Sequence, residues 1–461
     1  MSDQSDLEQF ASADSGSDRQ PAERESGDPD PEEHGTARFP SLPTDWEIKR
    51  LDEVATVQGG STPSTDEDEY WGGDIPWATP TDLTELQGNT ISDTEDKITE
   101  AGLESTSTHV LPPYSVLLTS RASIGKCAVN TVPMATNQGF QSLIPGEKLN
   151  TWYLYYVITE MAPYLESLGA GSTFSEISKR EVQRVQIPVP PMEEQLRIAS
   201  VLQNLDSTLE LVKEEKQKLH RVQRGVKQTV YHQGINKDGD LTNTPVGEIP
   251  AHWDLVTIGD VTEMVQYGTS DSLSEEGEYP VFRMNNIENG YMVPSPLKYG
   301  EFDEETVEKY ELKKGDILFN RTNSPELVGK TGIFELEGTY LFASYLIRLR
   351  TNDLIDPYYL TYYMNTAECQ GRLKAFVTKG VSQANINATN LKKIKVPLPP
   401  KDEQEQIVQY LRNIDQNIES RDAQSDRIQR LQTGVRRSLI SGETRLHEDE
   451  IKISEGVRIN G

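Results

Sequence analysis

At 461 residues the chain exceeds what one hydrophobic core organises, so two or more domains are expected. A formal net charge of −29 argues against a binder that holds nucleic acid by bulk charge alone, because phosphate neutralisation needs a basic patch. Two cysteines, Cys127 and Cys369, exclude a disulfide framework or a cysteine-rich zinc site and are expected as buried thiols.

Residues 1–39 are rich in Ser, Asp, Glu and Pro and are expected to be disordered. Their 11 acidic and 3 basic residues account for −8 of the charge, leaving −21 on the rest. That remainder resembles the carboxylate-coated surface of a halophile protein, soluble in high salt. The N-terminus lacks the basic-then-apolar order of a signal peptide, and no run approaches the eighteen or more apolar residues of a membrane span. A cytoplasmic protein without a membrane partner is expected.

The body of the chain is a tandem duplication. Leu42-Pro-Thr-Asp-Trp46 returns as Ile249-Pro-Ala-His-Trp253, and Ile187-Pro-Val-Pro-Pro-Met-Glu-Glu-Gln195 as Val396-Pro-Leu-Pro-Pro-Lys-Asp-Glu-Gln404. Between these anchors Val116-Leu-Leu-Thr-Ser-Arg121 is similar to Ile317-Leu-Phe-Asn-Arg321, and Gly125-Lys126 to Gly329-Lys330. Each copy therefore holds a globular part and then a long helix. The globular parts read as α+β, with short β-prone runs at 116–118, 187–189 and 317–319 between Gly, Pro, Asn and Asp turns. An aromatic-rich helix is expected in each, at 152–161 and 357–364. Tyr153-Leu154 and Tyr359-Leu360 correspond, so these aromatics read as core.

Pro188, Pro190 and Pro191 bar helix upstream, while Glu193 and Glu194 suit a helix N-terminus. Apolar residues follow at Ile198, Leu202, Leu205, Leu209, Val212, Leu219, Val226 and Val230, skipping Lys216 and Gln223. The second copy gives Ile407, Leu411, Ile414, Ile418, Ile428, Val435 and Leu439, with Arg421 and Ser425 as interruptions. Alternating steps of four and three make a coiled-coil seam, and two such helices can satisfy each other. Domains are expected at 40–190 and 249–398, with helices at 191–234 and 399–443. A polar linker is expected at 235–248 and a tail at 444–461. The fold class is α+β: two tandem mixed α/β domains, each followed by a long helix, the helices pairing as an antiparallel coiled coil with pseudo-two-fold symmetry.

Catalytic motifs fail on inspection. Leu111-Pro-Pro-Tyr114 and Asp356-Pro-Tyr-Tyr359 each lack a residue of an adenine methyltransferase motif and read as turns. Val328-Gly-Lys-Thr331 is half a phosphate-binding loop, with Ser324 where the first Gly is required. The six His show no metal spacing. No catalytic or metal residue is assigned.

The pattern Pro-x-Pro-Pro-x-(Glu/Asp)-Glu-Gln before a long helix, twice, each time after a Trp-led globular segment, resembles the specificity subunits of type I restriction–modification systems. Gln58-Gly-Gly-Ser-Thr-Pro63, Tyr70-Trp71, Ile75-Pro-Trp-Ala-Thr-Pro-Thr-Asp82, the segment 121–126 and Gly171-Ser-Thr-Phe174 are similar to that family's target-recognition domain. The second copy departs from the pattern, with Tyr267-Gly-Thr-Ser270 and Tyr279-Pro-Val-Phe-Arg-Met-Asn285. The resemblance spans about residues 40–443. It implies a non-catalytic subunit that reads a bipartite target in double-stranded DNA. Its partners would be two methyltransferase subunits and motor–nuclease subunits. AdoMet, ATP and Mg²⁺ would be used by those partners, leaving this chain without a cofactor.

Loop residues able to grip backbone or read base edges are Thr62, Ser64, Thr79, Thr81, Asp82, Arg121, Ser123, Lys126, Asn137, Gln138, Ser172 and Thr173 in the first copy. In the second they are Arg283, Asn285, Asn286, Arg321, Asn323, Lys330, Ser382, Gln383 and Asn385. Asn and Gln can bond adenine bidentately and Arg guanine. Two other readings stand beside this one. One is a fused restriction–methylation enzyme with unrecognised catalytic residues, and the other a coiled-coil scaffold with no DNA role.

Overall fold

The computed structural model describes residues 39, 42–170, 175–235, 239–324, 327–379, 384–446 and 453–458. The expected disordered segment lies almost wholly outside them. The chain forms two compact units: residues 1–204 with 432–461, and residues 205–431.

In the first unit, Glu47–Arg50 pairs antiparallel with Gln186–Val189, tying the start of the globular part to its end. A five-stranded sheet runs in the order Ala55–Gly59, Gln141–Pro145, Val116–Leu118, Cys127–Asn130, Thr90–Ile91. A second sheet places Trp71–Ala78 between Lys97–Ile98 and Ala135–Thr136. The aromatic helix, Thr151–Gly169, starts at Asn150, whose side chain accepts from the backbone N–H of Trp152 and Tyr153. Tyr153, Leu154 and Val157 are fully buried, as their apolar spacing demands.

The second unit repeats this plan. Asp254–Thr257 pairs with Lys395–Leu398, and Asp356 caps the aromatic helix Pro357–Met364. The Asp356-Pro-Tyr-Tyr359 string is thus a helix start rather than a turn, because Pro at the first helical position preserves the capping geometry. Leu111-Pro-Pro-Tyr114 is a turn, with Tyr114 at φ +64°. A six-stranded sheet is built around Ile317–Asn320, flanked by Leu346–Thr351 and Thr331–Ile333. Within the stretch expected as a linker, Leu241–Thr244 and Gly247–Pro250 form a hairpin, turned at Gly247 with φ +104°.

The long helices span Met192–Gln233 and Lys401–Ile440. In the second unit they run antiparallel: Lys216 pairs with Asp422, Gln223 donates to Asp415, and Arg421 meets Glu215 at 3.0 Å. Three of the four polar interruptions of the heptad seam, Lys216, Gln223 and Arg421, are therefore cross-helix partners, which select one register. Leu209, Val212 and Ile428 form a small buried apolar cluster in the same stretch.

The helix ends do something else. Val230, Tyr231, Ile407, Val408 and Leu411 belong to the main core of the second unit, and Tyr231 donates to the Tyr359 carbonyl at 2.9 Å. In the first unit Ile198, Ala199 and Leu202 are buried, as are Leu439 and Ile440. Each unit thus incorporates the start of its own helix and the end of the other.

The duplicated Glu-Gln pair explains this attachment. The Trp46 indole donates to Glu194 at 2.9 Å, and the Trp253 indole to Glu403 at 2.9 Å. Gln195 accepts from the Asn150 N–H at 2.8 Å and donates to the carbonyls of Pro190 and Lys148. Gln404 accepts from the Asp356 N–H at 2.7 Å and donates to Pro399 and Leu354. Both glutamines are buried, and each closes three backbone hydrogen bonds: those to Asn150, Pro190 and Pro399 are buried, while those to Lys148, Asp356 and Leu354 are partly buried. Tyr153 and Tyr359 complete the clamp by donating to Pro188 and Pro397.

The stretch after residue 443, expected as a tail, packs on the first unit where it is described. Arg445 bonds both Asp45 and Glu194, and the buried Val457 offers its carbonyl to Asn150.

Candidate nucleic-acid interface

Most sequence-selected residues lie on the loops that follow the sheet strands. In the first unit Thr62 donates to Gln138, bringing two candidates from distant segments together at the surface. Ser64, Thr81 and Lys126 are exposed. Thr79 and Asp82 form a reciprocal capping box on Pro80–Glu85, with Asp82 accepting from Thr79 Oγ1 at 2.6 Å. Their main work is to shape that loop. Asn137 accepts from the Gly139 N–H at 2.8 Å, and the Ser123 carbonyl accepts from Thr119 Oγ1 at 2.5 Å. Arg121 is exposed and paired with Glu176 at 2.8 Å. Hydrogen bonding to Glu176 raises the Arg121 pKa, fixing its charge but also cancelling it. Ser172, Thr173 and the Gly171–Phe174 motif lie outside the described residues, as do Ser382 and Gln383.

In the second unit Asn285 and Lys330 are exposed, and Lys330 lines a cleft of about 300 Å³ with Lys227, Tyr362 and Asp415. Asn323 accepts from the Ser324 N–H. Arg283 is half-buried, and its Nε has no hydrogen-bond partner among the described residues. Asn286 requires a correction. It is fully buried, accepting from Arg283 N and donating to the carbonyls of Val293 and Pro296, so no polar atom remains to read a base. Asparagine at a short-helix end gave no sequence signal separating this pin from a surface reader.

Arg121 and Arg321, which the similar strings put together, do not occupy equivalent positions. Ser120 N–H donates to the Gly139 carbonyl and its own carbonyl accepts from Ile177; Arg321 makes the same bonds with Tyr345 and Ile386. The residues before them, Thr119 and Asn320, both donate to the carbonyl of the loop lysine, Lys126 or Lys330. Arg321 therefore occupies the place of Ser120, and Arg121 that of Thr322. The bridge Arg121–Glu176 is matched by Thr322–Asn385. The similar strings differ by one residue in length, and alignment by residue type put the arginines together. Strand register separates them.

Among the described residues no group of His, Cys, Asp or Glu is placed to hold a metal ion. No helix among them is long and apolar enough to cross a membrane. Burial pushes the Cys369 thiol up to about 12, so it stays protonated at neutral pH.

The family model for the type I restriction modification DNA specificity domain matches twice, at residues 43–221 and 250–430. The chain belongs to this family. Among relatives of this specificity-domain protein, the type I restriction enzyme MjaIX specificity subunit of Methanocaldococcus jannaschii is 28% identical, over 88% of this chain and 95% of its own. The EcoKI specificity subunit of Escherichia coli is 25% identical, over 64% of this chain and 65% of its own. A solved structure described as showing complex assembly and conformational transition of the type I restriction–modification system aligns with TM-score 0.54 at 18% identity, covering 88% of this chain and all of that one. The S subunit of M. genitalium aligns with TM-score 0.52 at 13% identity, over 87% of this chain and 98% of its own. These two likenesses establish the fold. Both matched segments of this specificity-domain protein include a globular part and the start of the following long helix.

Proposed function

We propose that this type I specificity subunit reads a bipartite DNA target, one half-site per globular domain, and brings partner enzymes to it. The chain itself is non-catalytic. One observation carries the bipartite reading: two domains share one strand register yet differ in the side chains at corresponding loop positions. Ser120, Arg121 and Glu176 in the first stand against Arg321, Thr322 and Asn385 in the second. A common frame with divergent polar edges suits two unlike half-sites.

The partners are two methyltransferase subunits, with motor–nuclease subunits joining for restriction. AdoMet, ATP and Mg²⁺ act in those subunits. The antiparallel long helices set the unread gap between half-sites. Their heptad seam carries fixed polar partners, so the pair acts as a spacer of defined register.

Purified chain, shown free of co-purifying subunits, is expected to give no methyl transfer, DNA cleavage or ATP hydrolysis. Any of these activities in such a preparation would contradict the assignment and favour a fused enzyme.

A further inference from the structure

The reading edge of the second domain carries a feature that the first domain lacks. Two residues before Ser61, whose N–H donates to the Thr136 carbonyl, stands Gly59. Two residues before Thr269, which donates likewise to Phe342, stands Tyr267. Sheet register agrees, since Gly59 pairs with Gln141 and Tyr267 with Ile347, each following the buried Phe140 or Leu346. Gly59 and Ser120 in one domain are thus replaced together by Tyr267 and Arg321 in the other. The two large side chains meet: the Arg321 guanidinium lies 4.7 Å from the centre of the Tyr267 ring.

Three further contacts fix this pair. The Tyr267 hydroxyl accepts from the Ala388 N–H at 2.9 Å, at the start of a short helix. Arg321 Nη1 donates to the Ser344 carbonyl at 3.2 Å, and Nη2 reaches Asn385 Oδ1 at 3.4 Å. Asn385 is itself held by its donation to Thr322 at 2.8 Å. Among the described residues no carboxylate pairs with Arg321, in a chain with 74 Asp and Glu against 45 Lys and Arg. The contrast with Arg121, neutralised by Glu176, is direct, because Asn385 stands where Glu176 does. The guanidinium of Arg321 has five N–H donors. Its buried Nε has no partner among the described residues, and its Nη atoms have one contact each.

We infer that Arg321 is the guanine-reading residue of the second half-site and that Tyr267 is its positioning residue. This rests on the reading that the chain confers DNA sequence specificity. A guanidinium fixed in plane by a ring face, a carbonyl and an amide is pre-organised for a flat, two-acceptor partner. The O6 and N7 edge of guanine in the major groove is that partner among base pairs. A phosphate would need only the charge, which lysine also supplies.

The test is binding-site selection from randomised duplexes, using the full chain assembled with its partner methyltransferase subunits. Wild type is expected to return a bipartite motif with a G–C pair required in one half-site. Arg321→Lys keeps the charge and loses the fork. It is expected to lower the preference for that G–C pair about tenfold or more while the other half-site keeps its sequence. Tyr267→Leu is expected to relax the same position, whereas Tyr267→Phe, which retains the ring, should stay within about twofold of wild type. An unchanged motif in Arg321→Lys, or equal weakening at every position, would overturn the assignment. Relaxation of a different position in Tyr267→Leu would overturn the positioning role. A wild-type complex that selects no sequence at all would instead bring down the specificity reading on which the inference stands.

Discussion

Seven residues inserted into both long helices are expected to widen the unread gap in the target by about three base pairs, leaving the half-site sequences unchanged. Seven residues preserve the heptad seam and add roughly 10 Å at 1.5 Å per residue, against about 3.4 Å per base pair of duplex. The insertion points follow from the register. Lys216 faces Asp422 and Gln223 faces Asp415, so the junction after Val212 faces the one after Ser425. The heptad pattern alone points to Arg421 for the second insertion, which would leave four residues on each helix facing shifted partners. Insertion into one helix only should put the Lys216–Asp422 and Gln223–Asp415 pairs, which lie on one side of both junctions, out of step with the packing of Leu209 and Val212 on Ile428 beyond them, and lower stability instead of moving the gap. Methylation mapping of the doubly inserted variant, in complex with its partners, reads the result. Altered half-site bases over an unchanged gap would show that the helices do not set the spacing.

Gln404→Leu is expected to destabilise the second unit by about 3 kcal/mol or more. The side chain is fully buried and satisfies the Asp356 N–H and the carbonyls of Pro399 and Leu354. Leucine fills similar space but strands the buried Pro399 carbonyl and the partly buried Asp356 N–H and Leu354 carbonyl, at about 1–3 kcal/mol for the first and less for each of the other two, and it also removes the side chain that ties the helix to the domain. For a unit of this size the loss should lower its thermal midpoint by roughly 6–12 °C. Glu403→Gln should cost less, because an amide oxygen can still accept from the Trp253 indole. Calorimetry of the full chain would distinguish the cases. A Gln404→Leu midpoint within 2 °C of wild type, on the scale of about 2–4 °C per kcal/mol, would show that the Glu-Gln motif does not anchor the helix.

The duplication, the long helices and the aromatic core helices were legible because repetition and periodicity record burial directly. Tyr153 and Tyr359 recur at corresponding places because both close the same backbone clamp. The role of Lys216 and Gln223 was not legible, since a polar residue in a heptad seam reads as an interruption until its partner is known. Tyr231 escaped for a related reason: the helix end leaves the seam and enters a domain core, where heptad spacing no longer decides what is buried. Among the loop candidates, residue type could not distinguish buried Asn286 from exposed Asn285, one position away. Nor could it see that Arg121 and Arg321 occupy different rungs, because loop length between Ser120 and Lys126 differs from that between Arg321 and Lys330.

The claim that this chain supplies sequence specificity to enzymes that lack it is tested most directly by reconstitution. Partner methyltransferase subunits are incubated with unmethylated genomic DNA and AdoMet, with and without the purified chain, and every methylated adenine is mapped. Methylation should appear only when the chain is present, at a single split motif with two unlike halves. The same motif methylated in its absence, or methylation without sequence preference in its presence, would contradict the account.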